Sequence, residues 1–102
     1  MQTSHPDFIV GIGGSAGGLF AYTAFLDALP CDSGMAFVFV AHLFPTAHNQ
    51  LAEILSWHTQ MPVVVASTGM PVGVNHVYVC PSNADLLVER KTFRLVSPRT
   101  RN

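Results

Sequence analysis

Residues 8–12 (Phe8, Ile9, Val10, Gly11, Ile12) form a short, nearly unbroken apolar run, the pattern of a strand covered on both faces in a parallel sheet. The period then changes. From Gly17 to Leu29, the residues Leu19, Tyr22, Phe25, Leu26 and Leu29 recur at three- and four-residue spacing, which predicts a helix with one face on the sheet, ended by Pro30. Met35 to Ala41 is apolar throughout and reads as a central parallel strand. Past a loop over Leu43-Phe44-Pro45-Thr46, a second helix is predicted from Thr46 or His48 to His58, with Leu51, Ile54, Leu55 and His58 on one stripe and Met61-Pro62 as its stop. Val63 to Ala66 is a third strand, Ser67 to Asn75 a turn-rich connection containing Gly69, Pro71 and Gly73, and His76 to Cys80 a fourth strand. Asp85 to Glu89 and Thr92 to Val96 then flank Arg90-Lys91 as a β-hairpin that lacks an Asn-Gly turn.

This order begins with a strand–helix–strand unit, whose right-handed crossover places both strands in one sheet with their carboxyl ends on the same edge. The predicted fold class is α/β: a doubly wound, mainly parallel sheet with helices on both faces and a C-terminal β-hairpin. A single unit is expected over 8–97, with 1–7 and 98–102 as flexible termini. No repeat or low-complexity stretch interrupts it.

Composition changes this picture in one respect. Of the 102 residues, 49% are apolar and 11% charged, against roughly a quarter charged in an ordinary soluble domain. A membrane protein, an unusually buried fold, or part of a larger domain whose faces are covered by further sequence would each explain the deficit; the last reading is adopted. It predicts self-association through an uncovered sheet edge or apolar face. A membrane span in the uncharged stretch between Asp7 and Asp27 is disfavoured by Gly11, Gly13, Gly14, Gly17 and Gly18. Met1 to Asp7 carries no Lys or Arg and does not resemble a secretory signal, so the expected location is cytoplasmic. Cys31 and Cys80 are in no CxxC arrangement and read as buried free thiols. A formal charge of −1 without a basic stripe leaves no footprint for nucleic acid. No histidine pair has metal-ligand spacing, and no cofactor or metal is expected.

Candidate chemistry concentrates at Gly13-Gly14-Ser15-Ala16-Gly17. Glycines two positions either side of Ser15 let a strand-to-helix turn adopt angles that a Cβ forbids, projecting the serine oxygen clear of the backbone as a nucleophile. Gly14, Ala16 and Gly17 support the turn, and the amino end of the following helix would favour an oxyanion. A serine needs a base. His42, at the end of the second strand, reaches the same edge by the topology argument; its alternative is a histidine that caps a strand end. His5 is in a frayed terminus by this reading, His58 on an inward helical stripe, and His48 and His76 have weaker claims. The run from Gly11 to Ala16 also fits a phosphate cradle, but a dinucleotide site wants an acid where this chain has His42, and no Gly-Lys-Ser/Thr follows for a Walker loop.

With these two residues placed, the chain resembles the catalytic domain of the CheB-type chemotaxis methylesterases, especially that of hybrid methylesterase/methyltransferase proteins. The likeness covers Phe8 to about Ser97. It is carried by the run from Val10 to Leu19, by Leu29-Pro30, Asp32 to Val38, His42-Leu43, Leu51 to Leu55, His58-Thr59, Met61-Pro62-Val63, Gly69 to Val72 and Asn75 to Val79. The resemblance implies hydrolysis of the γ-methyl ester of glutamates in methyl-accepting chemotaxis receptors, with glutamine deamidation as a related activity, Ser15 as nucleophile and His42 as base. Ala16 stands where receptor-specific enzymes often have Thr, and Ala41 where they usually have Gln. The family's third member, an Asp in a Gly-Met-Gly-x-Asp-Gly-like segment, has no counterpart in this chain. Since that acid fixes the imidazole tautomer, its loss should cost several powers of ten in rate. The expected function is therefore a protein-glutamate methylesterase, weak or inactive as this chain alone. The alternatives are a non-catalytic module that docks on a receptor or signalling partner, and a phosphate- or nucleotide-binding module.

Overall fold

A computed structural model describes residues 5–14, 18–41, 47–81 and 84–96. In chain order the elements are β1 (Ile9–Gly14), α1 (Leu19–Ala28), β2 (Ala36–Ala41), α2 (Ala47–Ser56), β3 (Val63–Val65), β4 (His76–Val79), β5 (Asp85–Glu89) and β6 (Thr92–Val96). The first four strands form one parallel sheet in the order β1-β2-β4-β3, and β5 and β6 pair as an antiparallel hairpin. No helix among the described residues is long and apolar enough to cross a membrane.

Alternation along the central strands divides the core in two, because successive side chains point to opposite faces. Phe37 and Phe39 of β2, with Val77 and Val79 of β4, face Tyr22 and Leu26 of α1 and Leu51, Ala52 and Leu55 of α2. Ala36, Val38 and Tyr78 point the other way, where they meet Ala66, Val72 and Phe93. Both described helices therefore lie on one face, which corrects the expectation of helices on both. The physical reason is direction. The chain moves the same way across the sheet from β1 to β2 and from β2 to β3, and right-handed crossovers in one direction put both helices on one side. The step back from β3 to β4 requires the opposite face, and its connection, residues 66–75, contains no helix.

The hairpin completes that second layer. It is bonded to the connection: Gly69 N–H donates to the Phe93 carbonyl (2.8 Å), Phe93 N–H to the Met70 carbonyl (2.9 Å) and Val72 N–H to the carbonyl of Lys91 in the hairpin turn (2.9 Å). Phe93, 1% exposed, packs edge-on against Tyr78 at 4.7 Å; burying such a ring stabilises by about 1.5–3 kcal/mol. At the opposite end of the sheet, the loops entering β2 and β4 are tied together. Gly34, at φ +81°, donates its N–H to Asn75 Oδ1 (2.7 Å), and Asn75 N–H donates to the Met35 carbonyl (2.7 Å). Asn75 itself sits at φ 57°, a left-handed conformation that asparagine tolerates better than most residues. This link fixes the stagger of the two central strands, and with it where their far ends finish.

Candidate active site

The sequence locates the chemistry beyond the carboxyl ends of β1 and β2, and the register of those strands is explicit. They pair in parallel from Ile9 with Ala36 to Gly14 with Ala41. Gly14 and Ala41 are thus direct neighbours at one edge of the sheet. The residues that follow them in the chain are Ser15 and His42, so both segments depart from adjacent strand ends, about 4.8 Å apart in the pairing direction. Ser15, Ala16, Gly17 and His42 lie outside the described residues, while Gly14 is the last residue of β1.

The chain re-enters the described structure at Gly18, which caps α1 with φ −81° and ψ 0° and makes no side-chain cap bond. No acidic residue stands in the first turn of α1. Its free N–H groups and positive dipole end are consequently not neutralised by a carboxylate on their own helix.

Beneath this edge lies Tyr22. It is 5% exposed and contacts Phe39 edge-to-face, with centroids 5.1 Å apart. Its phenol end lies against Gly18: a Cβ at that position would sit 3.2 Å from Cζ and 3.4 Å from the hydroxyl oxygen. The hydroxyl is buried and has no hydrogen-bond partner among the described residues, and burial pushes its pKa upward. Sequence reasoning assigned Tyr22 to the apolar stripe of α1 and missed its hydroxyl; the available signal was a polar atom at an inward helical position next to a glycine-rich turn.

His5, His58 and His76 are occupied elsewhere. His5, expected in a frayed terminus, is half-buried with Nδ1 3.3 Å from the Val72 carbonyl. His58 lies beyond the end of α2, its Nδ1 2.9 Å from Asp27 Oδ1. His76 Nδ1–H donates to the Val74 carbonyl (2.7 Å), and its ring stacks on Tyr78. The carboxylates are also dispersed. Asp7 precedes β1, Asp27 and Asp32 flank the α1–β2 turn, Glu53 is exposed on α2, and Glu89 meets Arg94 at the hairpin. Asp85 opens β5 close enough to Cys80 to add to the upward shift that burial imposes on that thiol. Among the described residues, no three His, Cys, Asp or Glu side chains gather as they would around a metal ion.

Comparisons with known proteins converge. The family model described as CheB methylesterase matches residues 10–102. A protein-glutamate methylesterase/protein-glutamine glutaminase of Burkholderia orbicola (strain AU 1054) is 39% identical over 80 residues, which is 78% of this chain and 24% of that protein. A homologue from Xanthomonas campestris pv. campestris carrying the same description is 34% identical over 88 residues, 86% of this chain and 24% of its own. The crystal structure of the Thermotoga maritima CheB methylesterase catalytic domain superposes with a TM-score of 0.80 at 25% identity, covering 95% of this chain and 53% of that one. The chain thus spans about a quarter of the length of these curated relatives and about half of the catalytic-domain structure.

Proposed function

The chain belongs to the CheB methylesterase family, and from that premise we propose that it carries the nucleophile and base of a cytoplasmic protein-glutamate methylesterase acting on methylated chemotaxis receptors. Ser15 Oγ attacks the carbonyl carbon of a glutamate γ-methyl ester while His42 accepts its proton. The same imidazole returns that proton to the departing methoxide, which leaves as methanol. Water, deprotonated by His42, then cleaves the glutamyl–serine ester, and the proton goes back to Ser15. The turn glycines Gly14 and Gly17, with the N–H groups of Ala16, Gly17 and the start of α1, are the groups that would face the developing oxyanion.

The observation that carries this reading is the pairing of Gly14 with Ala41, which starts the Ser15 and His42 segments from neighbouring strand ends. The rate of this chain by itself is low in the same reading. None of its six acidic residues belongs to a segment like the one from which the family draws its orienting carboxylate, and an imidazole without that partner loses about four powers of ten in rate. The test is methanol release from methylated receptor fragments by the chain combined with the remaining portion of a family catalytic domain. Ser15→Ala and His42→Ala are each expected to lower release at least about 10³-fold. Release that is indifferent to Ser15→Ala overturns the reading, and receptor binding retained in both variants would then mark a docking module.

A further inference from the structure

All five basic residues of the chain, Arg90, Lys91, Arg94, Arg99 and Arg101, lie close to its end, and none precedes Arg90. Among the described residues this segregated charge belongs to the β5–β6 hairpin, and its foremost part is the turn. Arg90 and Lys91 are both exposed and both left-handed, at φ 52° and 65°. Neither has a carboxylate partner among the described residues, whereas Arg94 lies 3.4 Å from Glu89. The other acid of the hairpin, Asp85, stands at the far end of β5. Folding does not call for this basic pair, because a two-residue turn with positive φ prefers Asn-Gly. Backbone held in a sparsely populated conformation clusters where binding or switching retains it.

A second feature adjoins the tip. Strand β6 lies between β5 and residues 69–72, so β5 is the outer strand, and among the described residues no strand pairs with its free edge. Glu89 and Thr92 close the turn as a hydrogen-bonded pair, and alternation from there turns the N–H and C=O groups of Leu86 and Val88 outward. Leu87 and Val88 are 41% and 45% exposed beside them. The tip lies toward the amino ends of the parallel strands: Val72 N–H donates to Lys91, and the Val72 carbonyl meets His5, four residues before β1. It is thus remote from the margin at which β1 and β2 end.

We propose that the free edge of β5 and the Arg90-Lys91 tip form a docking surface for an extended acidic segment of a partner protein, which adds a strand beside β5 and sets its carboxylates against the two cations. In strand addition, main-chain pairing supplies affinity and side chains supply choice. Other anionic partners fit this surface less well. A bilayer is held by clusters of roughly four to eight bases and nucleic acid by a continuous basic stripe, whereas Asp85 and Glu89 on the same hairpin oppose a broad anionic surface. A second copy of the chain offers its carboxylates singly, at Asp7, Asp27, Asp32 and Glu53, and Asp27 is already engaged with His58. A narrow segment with acids at alternate positions meets both the edge and the tip.

The whole chain is titrated against a fluorescein-labelled peptide of alternating glutamate and valine, with binding read by fluorescence anisotropy. Binding is expected at about 50 mM salt and should weaken at about 500 mM, where exposed ion pairs are screened; a lysine–valine peptide should not bind. R90N/K91G and R90Q/K91Q each remove both charges, the first with a pair that suits the turn. Each should weaken binding about tenfold, the worth of two exposed ion pairs, and thermal melting shows that the variant is folded. On the parent chain, a glutamate–valine peptide N-methylated at alternate residues cannot pair along an edge and should bind at least about tenfold more weakly. Binding unchanged in a folded variant removes the role of the tip, and equal binding of the N-methylated peptide removes strand addition. A parent chain that does not bind the acidic peptide, or that binds phosphatidylserine vesicles or duplex DNA more tightly through Arg90 and Lys91, overturns the proposal. A light-scattering mass that falls when those two residues are replaced would assign the surface to a second copy instead.

Discussion

Cys31 stands exposed in the turn between α1 and β2, whereas Cys80, directly after β4, is 5% exposed with Sγ 3.5 Å from the Pro81 carbonyl oxygen. The expectation of two buried thiols holds for Cys80 and is corrected for Cys31, because the Pro-Cys-Asp turn lies between the end of α1 and the start of β2, outside the packed layers. Burial pushes the Cys80 thiol up, and the Asp85 carboxylate adds to the shift. A group whose pKa is raised by folding contributes stability that is intact below its unfolded pKa and is lost as pH rises through the folded value. Tyr22, shifted upward by burial, acts in the same direction at still higher pH. The melting temperature should therefore decline on the alkaline side of the thiol range, with a shallower decline in Cys80→Ala. Iodoacetamide at neutral pH should modify Cys31 promptly and Cys80 only at the rate of unfolding, as peptide mass spectrometry would read; equal modification of both would contradict the burial of Cys80.

At the scale of elements, the hairpin turn is the position where local chemistry and geometry disagree. Arg90 and Lys91 both adopt positive φ, 52° and 65°, the two-residue turn that suits the twist of paired strands but favours Asn-Gly. Left-handed backbone costs about 1–2 kcal/mol for an ordinary residue. Arg90→Asn with Lys91→Gly should accordingly stabilise the chain by about 1 kcal/mol, raising the melting temperature by about 4–8 °C; a lower value would mean that the extra freedom of glycine in the unfolded chain outweighs the relief of strain. The strands of this hairpin were legible in the sequence at Asp85–Glu89 and Thr92–Val96 because their apolar positions are bounded by charge, and β2 because every position from Met35 to Ala41 is apolar. The helices were legible by period, with ends that differ by one to two residues where caps are weak. What the pattern could not reveal is set by contacts distant in sequence. The order β1-β2-β4-β3 depends on the step back at residues 66–75, and the stagger of β2 and β4 on a bond between Gly34 and Asn75. For the candidate site, the strand ends next to Ser15 and His42 were readable from hydrophobic runs alone, while the buried hydroxyl of Tyr22 became visible only with its surroundings.

For the molecule as a whole, the surface divides unevenly. The hairpin and the 66–75 connection cover β2 and β4, but on the same face Ile9 and Val40 remain exposed, Phe8 is 69% exposed beside them, and a Cβ built at Gly11 would meet nothing within 4 Å. Among the described residues, no strand pairs with the outer edge of β1. An open edge beside an apolar face is a template for further pairing, and the matched catalytic-domain structure contains about as much chain again. The chain alone should therefore associate with copies of itself, with light scattering giving a mass above 11.0 kDa that rises with concentration; a concentration-independent monomer would show that this face tolerates water. The bonds joining Gly69, Met70 and Val72 to the hairpin have a different consequence. Peeling the hairpin away would break that seam and wet the inner face of Tyr78 and Val38 together. The sheet and its hairpin should consequently melt in one cooperative transition, which coincident loss of near- and far-ultraviolet circular dichroism on heating would show and two separate transitions would contradict.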